Sequence, residues 1–76
     1  MGEKWPSMSG KDLVRLVTRL CGPPLRISGS HRTFQGRAGN HFVVAFHDSD
    51  NVTGNLVRKI LLVDIGLTKQ EARKEV

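Results

Sequence analysis

The sequence predicts a small two-layer α+β domain in the order α-β-β-β-α, with a short extra C-terminal helix. Three observations predict it. Leu13, Leu16, Val17 and Leu20 recur at helical spacing. Three short stretches between residues 25 and 47 alternate or mix apolar and polar side chains and are separated by glycine-containing turns. A second helical run then places Leu56, Val57, Ile60, Leu61 and Asp64 on or near one side. Helices of this kind need an apolar sheet face to cover, which two layers provide.

Residues 1–7 read as a flexible leader, with Trp5-Pro6 able to fold back, and residues 8–76 as the single domain. Ser9 with Asp12 in the first turn reads as a helix N-cap. The helix runs through Leu20 and stops at Gly22 and Pro23-Pro24. Leu25 to Ser28 is the first strand. Gly29-Ser30 is a two-residue hairpin loop with glycine first, as a type II′ turn requires. His31 to Gln35 is the second strand, Gly36 to Asn40 a flexible turn, and His41 to His47 the third strand. Asp48 to Asn51 is a turn cluster. Thr53 or a neighbour caps the next helix, which runs to about Ile65 and closes at Gly66. Leu62 and Ile65 fall on the side of Arg58, away from Leu56 and Ile60. Thr68 to Glu71 is a capping box that opens the terminal helix.

Composition narrows the function. The chain of 76 residues carries a net charge of +5. A domain of this size buries only roughly 60% of its unfolded surface, so one modest core fits and a large cofactor-enclosing cavity does not. No apolar run approaches a membrane span of ~20 residues. No secretory leader opens the chain, and Pro6 stands where a myristoylation motif takes Ser or Thr. Cys21 is the one cysteine. It forms no disulfide or cysteine-based zinc site, reads as a structural thiol, and suits a cytoplasmic setting. The charge is local: residues 11–37 hold Lys11, Arg15, Arg19, Arg26, Arg32 and Arg37 against Asp12 alone, while the rest balances. A polyanion is the natural partner of that half.

Strand parity groups the candidate chemistry. Leu25, Ile27, Phe34, Phe42, Val44 and Phe46 form the core-facing set. The hairpin pairs Ser28 with His31 and Arg26 with Thr33; pairing Phe34 with Phe42 sets His31 opposite Ala45 and diagonal to His47. One sheet face then shows Arg26, Ser28, His31, Thr33 and His47 together. Imidazoles near neutral pKa exchange protons at physiological pH, and a guanidinium stabilises the charge of a phosphorane. A metal site is not expected: His41 and His47 lie roughly 20 Å apart on an extended strand.

Gly29-Ser30-His31-Arg32-Thr33-Phe34 resembles the Gly-Ser/Thr-His-x-x-Phe signature of the HicA family of bacterial toxins. Ser9 to Val14 is similar to the family's opening helix, Ala45-Phe46-His47 to the end of its third strand, and Gly54 to Leu67 to its final helix. Cys21-Gly22-Pro23-Pro24 departs from the family's Gly-Trp before the first strand, Arg32 from a second histidine, and Phe46 from a proline. The resemblance implies a double-stranded-RNA-binding-domain-like fold and a metal-independent endoribonuclease, an mRNA interferase of a type II toxin–antitoxin system that blocks translation. It implies mRNA as substrate and a HicB-like antitoxin as partner, the toxin being a monomer alone or a hetero-oligomer with that partner. It implies no cofactor, His31 as the catalytic residue, and His47 as a candidate acid. Lys11, Arg15, Arg19, Arg26, Ser30 and Arg32 are the RNA-binding candidates. Two alternatives stand beside it: a non-catalytic RNA-binding module of the same fold, and a protein-interaction domain whose basic face meets an acidic partner.

Overall fold

A computed structural model gives the fold and describes residues 4–76. Helix α1 spans Gly10–Cys21. Ser9 caps it from an extended backbone, its Oγ accepting from the Asp12 N–H at 3.1 Å. Leu13, Leu16 and Val17 are buried. The helix ends where Gly22 takes a positive φ of 86° and donates to the Thr18 carbonyl. Such a backbone suits glycine and the following prolines cannot extend the helix.

Strands β2 (Arg26–Ser28), β3 (His31–Gln35) and β4 (His41–Val44) form an antiparallel sheet in the order β2-β3-β4. Ser28 pairs with His31, Arg26 with Thr33 and Phe34 with Phe42, the expected register. Gly29 has a φ of 60° and no described non-glycine residue has a positive φ. The turn is therefore type II′, since type I′ needs positive φ at both central positions. Phe34, Phe42 and Val44 face the helices, and the two phenylalanine rings stack with centroids 5.9 Å apart.

Three expectations about this sheet are corrected. The third strand ends at Val44 and does not reach His47. Beyond it the chain turns to meet the start of α1: Gly10 N–H donates to the Asp50 carbonyl, Lys11 N–H to the Asp48 carbonyl, and Gly10 lies against the His47 carbonyl. Leu25 and Ile27 are not core residues; they are 57% and 61% exposed, because β2 is an edge strand beyond the cover of the helices. The turn from Gly36 to Asn40 is pinned: Arg37 N–H donates to the Ile65 carbonyl, and Asn40 Nδ2 to the Asp64 carbonyl, both at 2.9 Å.

A second, two-stranded pairing was not expected. Strand β1 (Met8–Ser9) runs antiparallel to β5 (Asn51–Val52) and ties the entry of α1 to the chain before α2. Helix α2 spans Gly54–Lys59 and continues as a π-helical turn, Ile60–Ile65. Thr53 stands at its N-cap without a side-chain cap bond. Gly66 has a φ of 93°, and the Leu61 carbonyl accepts from the N–H groups of both Gly66 and Leu67. In an α-helix a residue five places on lies about 140° around the axis. The wider π turn brings it back toward the same face. Ile65 is accordingly buried with Ile60 and Leu61, not set on the side of Arg58, and Leu62 is half-buried.

Helix α3 spans Lys69–Glu75, opened by the expected capping box of Thr68 and Glu71. Trp5 is only 9% exposed and belongs to the core. Its carbonyl lies against Gly54, the Arg73 guanidinium sits 4.8 Å from its ring centroid, and Arg73 Nη1 donates to the Lys4 carbonyl. The expected leader therefore folds onto the domain at Trp5; residues 1–3 lie outside the described residues. Among the described residues no helix is long and apolar enough to cross a membrane.

Candidate functional site

The β2–β3 hairpin positions the site. Its two-residue turn sets Ser28 directly across from His31, and antiparallel pairing places such side chains ~4.5–5.5 Å apart at Cβ. Thr33 follows two residues along β3 and so shares the face of His31. Arg26 pairs with Thr33, which makes it the diagonal neighbour of His31. Together Arg26, Ser28, His31, Thr33 and Val43 line a shallow open depression of about 470 Å³ on the sheet face turned away from the helices. The His31 side chain is exposed and has no hydrogen-bond partner among the described residues. Val43 was missed as a lining residue. Its signal was present, since parity within His41–Val44 sends Phe42 and Val44 inward and Val43 outward.

His47 is not part of this group. It lines a separate depression of about 370 Å³ with Gly29, Ser30, Arg32, Phe46 and Asp48. Arg32 alternates with His31 along β3, so this depression lies on the other side of the hairpin. His47 is fixed there by its own backbone: its N–H donates to Asp50 Oδ2 at 2.8 Å, and its carbonyl accepts from the Asp50 N–H. The expected face of Arg26, Ser28, His31, Thr33 and His47 thus holds four of its five members.

The RNA-binding candidates fall in three places. Arg26 borders His31. Ser30 and Arg32 border His47. Lys11, Arg15 and Arg19 lie on α1, which packs on the opposite face of the sheet from His31. The charge segregation along the sequence is also partly cancelled in space. Arg19 Nη2 meets Glu75 Oε1 at 2.6 Å, and Arg37 grips Glu71 with two bonds of 2.8 and 2.9 Å. Arg15 approaches Asp12 at 3.9 Å. Helix α3 therefore carries acids back onto arginines of the first half. Lys11, Arg26 and Arg32 have no ion pair among the described residues. The bond to Arg37, reinforced by the Thr68 N–H, holds the Glu71 carboxyl down at about 2. Partial burial raises the Cys21 thiol pKa.

Among the described residues no three His, Cys, Asp or Glu side chains are gathered as metal ligands. The face around His31 offers one proton acceptor, two hydroxyls and one cation to a bound molecule. Comparison with models of known protein families, with curated proteins and with solved structures finds no match. What the fold and the site define is a small two-layer α+β domain with an open, cationic sheet face built around one histidine.

Proposed function

We propose that this chain is a metal-independent endoribonuclease of the HicA kind, cleaving mRNA in the cytoplasm and neutralised by a HicB-like antitoxin. The observation that carries the reading is the exposed His31 imidazole beside Arg26, Ser28 and Thr33 on an open face. The step needs few groups. His31 takes the proton of a ribose 2′-OH, and the 2′ oxygen attacks the adjacent phosphorus. The bond from phosphorus to the 5′ oxygen breaks, leaving a 2′,3′-cyclic phosphate and a 5′-OH whose proton comes from solvent. Arg26 offsets the charge that gathers on the phosphoryl oxygens. Ser28 and Thr33 donate hydroxyl bonds beside it. The reading assigns His47 no part in this step, because it lines the other depression.

A defined mRNA fragment, incubated with the purified chain and EDTA, tests this. Wild type should cleave, and His31→Ala should lose on the order of 100-fold or more in rate while keeping its circular dichroism. His47→Ala should cleave nearly as wild type. Equal cleavage by wild type and His31→Ala would sink the assignment. Salt-sensitive RNA binding without cleavage by either would leave a non-catalytic RNA-binding module.

A further inference from the structure

We propose that the outer edge of β2 is a docking site for an acidic, extended segment of a partner protein, which joins the sheet as a fourth strand. This holds whether or not His31 cleaves RNA. Strand β2 pairs with β3 on one side, and on its other side no described strand accompanies it. The two-residue hairpin makes Ser28 and His31 a hydrogen-bonded pair. The antiparallel ladder alternates, so Ile27 and Arg32 form the next, non-bonded pair. The N–H and carbonyl of Ile27 consequently point outward, to the free edge.

The side chains there combine charge with exposed aliphatic surface. Natural proteins guard such edges with short strands, charged side chains or proline, and β2 is three residues long and carries Arg26. Here Leu25 and Ile27, two residues apart, are both more than half exposed. Val63 and Leu56 are exposed too, but on helical turns, which an added strand cannot extend. The sheet's other edge, β4, exposes one aliphatic side chain, Val43, whereas the β2 edge brings Leu25 and Ile27 together with outward backbone groups and an arginine, the combination that addition of an acidic strand uses.

Charge selects the occupant. Arg26 sits between Leu25 and Ile27, and it and Arg32 lack an acidic partner among the described residues. A second copy pairing antiparallel about Ile27 would put two Arg26 side chains on one face as diagonal neighbours, and would bring together two chains of +5 each. A strand alternating acidic and aliphatic residues meets both the arginine and the aliphatic pair. Seated there, it borders Ser28 and Arg26 and narrows the approach to His31.

The probe is a short fluorescein-labelled peptide alternating Glu with Val, with a Lys-for-Glu version as control, followed by fluorescence anisotropy and by amide hydrogen exchange. The acidic peptide should bind and the basic one should not. Exchange at the Ile27 amide should slow by roughly tenfold or more in the complex. Ile27→Pro removes an N–H the sheet does not use, and should weaken binding by at least about tenfold. Ile27→Thr, which keeps a strand-compatible side chain, should weaken it less. Binding that leaves the Ile27 amide unprotected would overturn the proposal. So would no binding of the acidic peptide, equal binding of both peptides, or self-association of the free chain through the Ile27 amide in sedimentation and exchange.

Discussion

The turns at the two ends of β3 close the same sheet, and each carries glycine and an arginine close by. They are held very differently. At the β3–β4 end, Arg37 donates from its backbone to Ile65 and from its side chain to Glu71, and Asn40 reaches Asp64. Gly36 lies so close to the Asp64 carbonyl that no side chain fits. At the β2–β3 end, a Cβ added at Gly29 would meet nothing within 4 Å, and the flanking Ser28 and His31 side chains face the open depression. One turn fastens the sheet to the end of the π-helical segment; the other holds up the candidate chemistry. An arginine beside a turn glycine is therefore no guide to a ligand until its acid is found, and the acid of Arg37 lies 34 residues away.

The contrast can be broken at either end. Gly36→Ala should have the largest effect: its methyl group displaces the turn from Asp64 and weakens bonds on the order of 1 kcal/mol each, for a loss of about 2–3 kcal/mol in chemical denaturation. Gly29→Ala has space but needs a positive φ, and should cost about 1–2 kcal/mol through backbone strain alone. If the two variants were equally destabilising, steric exclusion at Gly36 would not be what separates the turns. The smallest effect is electrostatic. Glu71 is held at about 2 against an ordinary 4.5, so its contribution is complete above the ordinary value and is lost as pH falls from there toward 2. Thermal melts from pH 6 to pH 2 should show a steeper decline for wild type than for Glu71→Gln. Parallel curves would remove the Arg37–Glu71 contact from the account of how that turn is fastened.

Legibility in the sequence followed the range of the chemistry. The Ser9 cap, the Gly29-Ser30 hairpin and the Thr68–Glu71 capping box are each decided within four residues, and each stands as read. The hairpin register alone was enough to place Arg26, Ser28, His31 and Thr33 on one face. What failed to show depends on distant partners. His47 leaves the sheet because Gly10 and Asp50 meet its backbone. Leu25 and Ile27 alternate like core residues, but alternation cannot say how far the helices extend across the sheet. Strands β1 and β5 are two residues each and too short to carry a period. The pairing of Arg19 and Arg37 with acids of α3 could not be read from charge counted along the chain.

The buried positions of α2 and its π-helical continuation, 57, 60, 61 and 65, become an ordinary amphipathic spacing if one residue between 61 and 65 is left out. The π-helical turn is thus an insertion carried inside a helix, and Val63, 68% exposed, is the residue the core does not use. A chain one residue shorter at Val63 would close a regular α-helix with Val57, Ile60, Leu61 and Ile65 still inward. This is the stretch where the domain can change its length without exchanging its core.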